Sequence, residues 1–455
     1  MATTETEFLN QTRPLAKALI DFAMAEGKKF GITDVEVLVS VEDSQKNAVE
    51  NGEVSEVISG LKNTVLVALY AGNRKLSFSR QTLDQKELCD AMMQNMQVIG
   101  LVPENPNGGL LEKEKVYKGP LADLDVYDDQ QPDQQTLIDY AKDVESAALA
   151  ETGVKTTRTT SVSKGNGHVM LMATNGVDYH ASKTSYSAQT EVIAEDAEGN
   201  MQVDGDYSVA RHFSDMSRPR ELGTSAGKNA VAKLGATMPA SGTMPIILSH
   251  DAAEDFFSAV YAAINGTAVF RDSTFLKGKI GQQVMSKGVT LVDDPTIVRG
   301  YKSGQVDGTG QKKEKITFIE DGVLKGYNVS LQEARQLGIE PIGRDSPQPT
   351  NATILPGQQT PEQPISDIQD GIYIKGFEGG KVDVNNGVYS RQAYGTLIKA
   401  GKVTDIPVDG FVVSGNLKSM FMSVALANDT PPLPNPKYTL AAPTTRINGV
   451  VIAGR

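Results

Sequence analysis

Residues 248–257, LSHDAAEDFF, place one imidazole and three carboxylates within about one and a half turns of a predicted helix. A hydrolytic zinc site needs neutral imidazoles to hold the metal and a carboxylate to take a proton from the bound water. Because residues four apart share a helix face, His250 and Glu254 could be ligands and Asp251 the base. The residue types and their spacing are therefore compatible with metal-assisted hydrolysis.

The same stretch also has a structural interpretation. Asp251 and Glu254 have the spacing of a capping box, in which the first side chain accepts from free backbone N–H groups and the second reaches back. Carboxylates in a first turn also interact favourably with the helix dipole. An apolar stripe then continues the helix; it consists of Phe256, Phe257, Val260, Tyr261 and Ile264. Since every charged side chain is explained without a metal, we favour the cap over the metal site.

The other residues that could do chemistry form no recognisable site. The remaining histidines are His168, His180 and His212. Their spacing does not require them to converge with the predicted helix, and we expect surface or hydrogen-bonded strand histidines. Asp204-Gly205-Asp206 and Asp293-Asp294-Pro295 lack the ligand count of a calcium loop and are interpreted as turns. The sequence contains neither a Walker motif nor a G-x-S-x-G elbow.

Charge and cysteine content exclude further classes of protein. The 455 residues include 44 basic and 56 acidic side chains, a net charge of −12. An acidic protein does not attract phosphate backbones, so direct nucleic-acid binding is disfavoured. Cys89 is the only cysteine, which excludes intrachain disulfides and thiolate metal clusters. Its place on an apolar helix face predicts a packed, unreactive thiol.

The chain shows no sign of a targeting or membrane segment. Its first residues, MATTETEFLNQTRP, are polar and acidic, unlike a signal peptide. No stretch approaches the ~18 consecutive apolar residues needed to span a bilayer. We therefore expect a cytoplasmic protein without a membrane partner.

The first hundred residues predict helices packed on an antiparallel sheet. A helix over 14–26 precedes TDVEVLVSVED, whose alternating valines indicate a half-buried strand. Asn51-Gly52 predicts a hairpin turn, and two more strands follow around Gly72-Asn73. A helix over 84–98 ends this unit. The expected order is helix, four strands, helix.

A second unit of the same kind is predicted over 134–240. It begins with a helix, continues as a strand meander with a turn at Asn175-Gly176, and ends with a helix over about 220–238. A proline- and glycine-containing stretch with little periodicity joins it to the first unit, over about 1–100, as a loop-rich linker. The expectation is an N-terminal α/β region, residues 1–240, with antiparallel sheets and flanking helices.

Residues 241–455 are expected to form a C-terminal β-rich domain that resembles a barrel or sandwich. After the predicted 251–264 helix, short strand-like runs such as KITFIE, GIYIKGFE and GFVVSG alternate with Asp-Gly and Asn-Gly turns. The polar, proline-rich segment 342–366 predicts a long extended loop of the kind that carries binding surfaces. The fold class is therefore α+β.

Segments distributed along the chain, in order, resemble the TldD/PmbA family. They are NAVENGEVSEV, NTVLVALYAGNRKLSFSRQTLD, VTLVDDP, IEDGVLKGY, GIYIKGFEGGKVDVNNGVYSRQAYGTLIKAGKV, PVDGFVVSGNL, NDT and INGVVIAG. The resemblance covers essentially the whole chain and implies an α/β N-terminal part and a β-barrel-like C-terminal part. It implies a protease for short or unfolded peptides, formed by a zinc-bearing TldD type and a PmbA type, also called TldE. The family is also described as a modulator of DNA gyrase.

Compared residue by residue with the zinc-bearing type, this chain resembles the PmbA/TldE type. TldD-type members carry H-E-x-x-x-H and a cysteine near the C-terminus as third ligand. Here His250 matches the first histidine, but Asp251 stands in place of the glutamate and Asp255 in place of the second histidine. The stretch 428–445 contains no cysteine. The resemblance thus implies degenerate motif positions, no catalytic, cofactor-binding or metal-ligating residues in this chain, and zinc only in a TldD-type partner.

Three functions remain open on this basis. The favoured one is a non-metal subunit of a TldD/TldE-like zinc metalloprotease, in a heteromer with a TldD-type subunit or as a homodimer. An extended peptide would pair with strand edges and loops of the C-terminal half, with Asn351 to Gly357 as one wall of the channel. The alternatives are a stand-alone regulatory or binding protein of the gyrase-modulator kind, and a self-sufficient hydrolase with an unrecognised site around His250 and Asp251.

Overall fold

The fold was analysed in a computed structural model that describes residues 4–345 and 348–455. Its N-terminal region contains four helices: α1 (Glu5–Glu26), α2 (Gln85–Val98), α3 (Gln134–Leu149) and α4 (Pro219–Val231). Its six strands are β1 (Asp34–Glu50), β2 (Glu53–Ala71), β3 (Arg74–Arg80), β4 (Val154–Ala173), β5 (Asp178–Glu195) and β6 (Met201–Ala210).

The six N-terminal strands form one antiparallel sheet in the order β3-β2-β1-β4-β5-β6. β1 pairs with β2 on one side and with β4 on the other, so strands from both predicted sub-units belong to the same sheet. α1 and α2 pack on one end, where Val35, Val37 and Val39 point into the core as their alternation predicts. α3 packs on the other end around Val49.

Several predicted boundaries in this region were wrong. α1 begins at Glu5 rather than residue 14, because Thr4 and Glu7 form a capping box, and the helix continues through Pro14. The first unit has three strands instead of four, because β1 continues without a break to the hairpin. α4 ends at Val231 rather than near 238, and Gly235 then takes a positive φ of 69°.

The C-terminal region combines a closed barrel with a smaller sheet. Its helices are α5 (His250–Ala263), α6 (Gly266–Phe270), α7 (Leu331–Leu337) and α8 (Leu417–Phe421). Its strands are β7 (Gly242–Leu248), β8 (Leu291–Asp293), β9 (Ile316–Glu320), β10 (Val323–Leu324), β11 (Ala352–Ile354), β12 (Asp370–Asp383), β13 (Val388–Lys399), β14 (Lys402–Asn416), β15 (Val424–Leu426), β16 (Leu440–Ala441) and β17 (Thr445–Ala453). The expected β-rich, barrel-like part is confirmed.

The barrel closes because β14 pairs with β17 as well as with β13. The order β14-β13-β12-β7-β17 returns to β14, and β15 adds to β17 outside this ring. The second sheet has the order β10-β9-β8-β11-β16. Closure removes the free edges that an open sheet of this length would expose.

Helix α5 lies between the barrel and the smaller sheet, in the largest apolar core. Phe256, Phe257 and Val260 are fully buried there, and Phe256 makes edge-on contacts with Tyr389 and Phe421. β7 leads directly into α5 and pairs in parallel with β12. The two strands thereby fix the position of the first turn of α5, which carries the candidate residues.

Across the two described ranges, no helix combines the length and the apolar character needed to cross a lipid bilayer. Cys89 lies in α2, packed against the N-terminal core, and burial, followed by the charge of Asp90, raises the pKa of its thiol. A raised pKa disfavours the reactive thiolate, which agrees with the predicted role of this side chain in packing.

Candidate functional site

A cleft of about 870 Å³ separates the N-terminal sheet from the C-terminal barrel and includes the first turns of α5. Strands β5 and β6 and helix α4 form one wall, and α5, β12 and β13 form the other. The charged side chains along it are Glu191, Asp204, Asp206, Lys233, Asp251, Glu254, Asp255, Lys375 and Glu378. The cleft is therefore lined by residues that are distant in sequence, and most of its charged side chains are acidic.

The first turn of α5 is capped by Ser249, not by Asp251 as the sequence predicted. The Ser249 hydroxyl accepts a hydrogen bond from the N–H of Ala252 and donates one to the carbonyl of Lys375, which fixes the turn to β12. Asp251 is the second residue of the helix, and its carboxylate still lies favourably at the positive end of the helix dipole. The predicted capping box of residues 251 and 254 was therefore wrong by two positions.

The imidazole of His250 is joined to the C-terminal stretch 428–445, called the C-terminal strap below. Its Nε2 lies 3.0 Å from a carboxylate oxygen of Asp429. The same carboxylate accepts hydrogen bonds from the backbone N–H (2.9 Å) and the hydroxyl (2.7 Å) of buried Thr444. Asp429 thus ties the start of α5 to both ends of the strap.

Two further contacts hold the strap over α5. Tyr438 donates its hydroxyl to Asp251 over 2.5 Å, and this phenol also lies edge-on to His250. Burial, then the charge of Asp251, raises the pKa of the Tyr438 phenol, so the phenol is the donor. The backbone N–H groups of Leu440 and Thr439 face the Glu254 carboxyl and act to lower its pKa. The strap therefore engages three successive polar positions of the helix.

Among the carboxyl groups that line the cleft, Glu254 is the one whose pKa burial raises to near neutrality. Burial raises the pKa of its carboxyl to about 7, and the charges of Asp251 and Asp255 act in the same direction. Hydrogen bonds from the strap backbone oppose the shift without cancelling it. Near neutral pH this carboxyl therefore exists in both protonation states.

Asp255 forms a two-pronged ion pair with Arg391 of β13. The distances from the guanidinium nitrogens to the two carboxylate oxygens are 2.7 and 2.9 Å. Arg391 is oriented further by a hydrogen bond to the carbonyl of Gly379 and by the ring of Phe377. The carboxylate is thus engaged by an arginine whose planar geometry matches it.

These donors do not fit a zinc ion. One imidazole is present, its Nε2 is hydrogen bonded to Asp429, and Asp255 is neutralised by Arg391. Within residues 4–345 and 348–455, no three His, Cys, Asp or Glu side chains are grouped so that they could hold a metal ion. A tetrahedral zinc site requires three or four such donors, so no chemical step is assigned to a metal in this chain.

The other histidines stay apart from the cleft and have partners of their own. His168 of β4 bonds to Ser182 and stacks on Phe8, while His180 of β5 pairs with Glu5. The third, His212, lies 3.1 Å from Asp125. The expectation of hydrogen-bonded or surface histidines agrees with these positions.

A network centred on Lys233 was missed by the sequence reasoning. Its ammonium lies 3.1 Å from Asp204 and 2.7 Å from Glu378, and it packs over the ring of Tyr394. Lys375 of β12 lines the same cleft, and burial lowers the pKa of its ammonium. The members come from the turn after α4 and from β6, β12 and β13, so no local sequence signal could have brought them together.

Of the two acidic segments interpreted as turns, the second does enter a turn, in which Asp294 accepts a hydrogen bond from the backbone N–H of Thr296 (2.9 Å), whereas the first lies in a strand. Asp204 and Asp206 lie within strand β6, and Lys437 of the strap pairs with Asp206 over 2.6 Å. Asp293 ends β8, is fully buried, and accepts hydrogen bonds from Tyr261 and Thr350. Lysine ammonium groups and buried hydroxyl groups thus serve as partners for these carboxylates.

Residues 351–357, predicted as one wall of a peptide channel, do not line this cleft. Asn351 is buried and donates its amide to Ser303 and to the carbonyl of Asp294. Residues 352–354 then form β11 inside the smaller sheet, and none of this stretch lines the cleft. Residues 346 and 347 of the same predicted loop lie outside the described residues.

Comparisons with known proteins agree with this architecture. The PmbA/TldA metallopeptidase C-terminal domain matches residues 241–454, and the PmbA/TldA metallopeptidase central domain matches residues 127–234. The metalloprotease PmbA of Escherichia coli O157:H7 is 27% identical over 410 residues, which covers 89% of each chain.

Solved structures show the same fold over the whole molecule. A Bacteroides thetaiotaomicron protein named as a candidate modulator of DNA gyrase superposes with a TM-score of 0.89 at 22% identity and covers 100% of both chains. TldE from Thermococcus kodakarensis superposes with a TM-score of 0.80 at 18% identity, covering 96% of this chain and 100% of that one.

Proposed function

Since the chain belongs to the PmbA/TldD metallopeptidase family, we propose that it is the PmbA/TldE-type subunit of a two-component zinc metalloprotease. In this proposal a TldD-type partner supplies the zinc ion and the activated water. The present chain supplies part of the chamber in which short or unfolded peptides are degraded or processed.

The single observation that carries the proposal is the set of contacts between the C-terminal strap and α5. His250 and Asp251 are bonded to Asp429 and Tyr438, and the strap backbone faces Glu254. Protein groups thus engage the polar side chains that a catalytic helix would offer to a metal. His250, Asp251 and Asp255 are then structural residues in this subunit, and no catalytic residue is assigned to it.

The cleft beside α5 suits an extended peptide. β6 is an edge strand of the N-terminal sheet, and its residues 203–207 line the cleft. The backbone N–H groups of Gly205 and Tyr207 donate to the carboxylates of Asp204 and Asp206, so a peptide could add to this edge by replacing these carboxylates as acceptors. β12 forms the opposite wall and has bulges at Gly376 and Gly379, irregularities that are frequent beside functional sites. We therefore place the peptide between the two regions, with β6 rather than a C-terminal loop as the main strand edge.

The ion pairs along the cleft favour a structural role of this chain over a hydrolytic one. Four of the acidic groups of the cleft are already paired: Asp204 and Glu378 with Lys233, Asp206 with Lys437, and Asp255 with Arg391. Ion pairs of this kind fix the shape of a wall and leave few charges free for chemistry.

The test is a reconstitution assay with a TldD-type protein from the same source. Hydrolysis of an unstructured peptide is measured for this chain, for the partner, and for the mixture, with His250→Ala as a variant of this chain. We expect cleavage by the mixture, little by this chain alone, and at least half of the mixture's rate with His250→Ala. Cleavage by this chain alone that His250→Ala abolishes would instead establish a self-sufficient hydrolase.

A further inference from the structure

The outer half of β2 is a long apolar strand exposed on both faces. Every residue from Glu53 to Gly60 is exposed, and so are Leu61 and Lys62. The large apolar side chains in this stretch are Val54, Val57, Ile58 and Leu61. Ile58 is 50% exposed and Leu61 is 65% exposed, and the adjacent Val57 and Ile58 place apolar side chains on opposite faces of the strand.

The same stretch is a free sheet edge. β3 pairs with β2 only from Val65 to Ala71, and β1 occupies the other side throughout. Among the described residues, no strand pairs with the outer edge over residues 53–64. Long, apolar, unprotected edges are rare in native proteins because they recruit another strand.

This edge is rigidly presented. The carboxylate of buried Glu145 accepts hydrogen bonds from the backbone N–H groups of Asn51 (3.0 Å) and Gly52 (2.7 Å) at the hairpin tip. Val49 on β1 is buried against α3. A strand that is already ordered loses little conformational entropy when it binds, so its pairing is less costly than that of a flexible arm.

We propose that this edge is a dimer interface, in which β2 of a second copy of this chain pairs with it in antiparallel fashion. When two antiparallel strands are related by a two-fold axis normal to the sheet, both copies have the same sheet face on the same side. An even-numbered residue then lies opposite an even-numbered residue of the second copy, and an odd-numbered residue opposite an odd-numbered one. The free edge ends at Thr64, where Arg80 of β3 begins to pair with Val65, so the tip of the second hairpin must stop there. Placing Gly52 opposite Thr64 centres the axis on Ile58.

Charge complementarity favours a second copy as the occupant. With Ile58 at the axis, Lys62 lies diagonal to Glu56 of the second copy, within reach of long side chains. Lys62 has no ion-pair partner among the described residues, whereas Glu56 contacts Lys46 at 2.8 Å. In this register Leu61 is diagonal to Val57 of the second copy, and Ile58 lies opposite Ile58 of the second copy. No two like charges lie opposite each other. The strand is therefore self-complementary in both charge and apolar character.

Light scattering on a sizing column tests the interface with a matched pair of variants. Ile58→Lys places two ammonium groups at the axis, while Ile406→Lys changes the same residue type at the same 50% exposure on β14. We expect a dimer for the native chain and for Ile406→Lys, and at least a tenfold weaker dimer for Ile58→Lys. Because both positions are exposed, circular dichroism should show that both variants fold.

A charge exchange gives a second, independent readout. Glu56→Lys alone and Lys62→Glu alone each create two repulsive contacts, so each variant should dimerise several-fold more weakly than the native chain. A mixture of the two variants restores both attractions and should form a heterodimer. The proposal would be overturned if the native chain were a monomer at tens of micromolar, or if Ile58→Lys did not weaken the dimer. It would also be overturned if the mixture of the two charge variants formed no heterodimer. A loss confined to binding of a TldD-type partner would also overturn it, since the edge would then belong to another chain.

Discussion

At the scale of residues, the stretch around His250 shows how the same side chains can serve chemistry or structure. The identities of the groups were readable from the sequence, and so was the absence of a second imidazole and a cysteine donor. Their partners were not readable, because Asp429, Tyr438 and Arg391 lie more than a hundred residues away. Spacing along a helix predicts which groups share a face, but it does not predict what covers that face.

Glu254→Gln should change how stability depends on pH. The pKa of this carboxyl rises from 4.5 unfolded to about 7 folded, so between these values the folded state holds a proton that the unfolded state has lost. Native stability should therefore fall as the pH rises from about 5 to 7, a loss on the order of 2 kcal/mol that the glutamine variant should not show. Urea unfolding at pH 5, 6, 7 and 8 measures it.

The exposed Glu362→Gln serves as the control for that series and should follow the native profile. If Glu254→Gln has the same pH profile as the native chain, the carboxyl is hydrated rather than buried.

Asp429→Ala should destabilise the protein more than His250→Ala. Loss of the aspartate leaves the buried N–H and hydroxyl of Thr444 without their acceptor, which costs about 2 kcal/mol or more. His250 is partly exposed and loses one contact, so its truncation should cost less than about 1 kcal/mol. Chemical denaturation compares the two. A larger cost for His250→Ala would mean that the imidazole organises the strap.

At the scale of elements, turn chemistry was the most dependable guide. Asn51 and Gly52 take positive φ angles of 53° and 78°, as the hairpin prediction required, and the strands KITFIE, GIYIKGFE and GFVVSG were found. Helix ends were harder, because Ser249 was overlooked as the cap of α5 and Thr4 as the cap of α1. A cap is decided by one hydrogen bond, and several neighbouring Ser, Thr or Asp residues can make it.

Ser249→Ala should destabilise the protein by about 1 kcal/mol, since it removes the helix cap and the bond to the Lys375 carbonyl. Ser258→Ala in the same helix is the matched control, because its hydroxyl is exposed and bonds only to the carbonyl of Asp255. The control should stay within about 0.5 kcal/mol of the native chain in thermal or urea unfolding. Equal effects of the two changes would argue against the assigned cap.

Glu145→Ala should loosen the β1–β2 hairpin and cost about 2 kcal/mol, because the carboxylate accepts from Asn51, Gly52 and Thr157. Glu145→Gln, which keeps one acceptor oxygen, should have a smaller effect. Amide hydrogen exchange of residues 45–60 should accelerate in the alanine variant. Unchanged exchange there would show that the hairpin is held by strand pairing alone.

At the scale of the whole molecule, the cleft exists because two regions with different architectures pack side by side. The α+β class and the β-rich second half could be predicted from periodicity and turns. The network of Asp204, Lys233 and Glu378 could not, because its members lie up to 174 residues apart in the sequence and meet only through the packing of sheet and barrel. The strap adds a third distant segment to the same place.

Under the proposed function, this arrangement would keep the shape of a peptide chamber without a metal in this chain. Helix α5 is a packed element, and its residues His250 and Asp251 are bonded to the strap. The free edge of β2 lies at the far side of the N-terminal sheet from β6, so dimer formation there would not cover β6.

Zinc stoichiometry of the isolated chain tests the central claim most directly. The purified chain is equilibrated with excess zinc, passed through a chelating column, and analysed by mass spectrometry, beside His250→Ala as a reference. The account predicts far less than one zinc per chain in both proteins, because one imidazole with engaged neighbours cannot compete for the ion. One tightly held zinc per native chain, absent from His250→Ala, would contradict it.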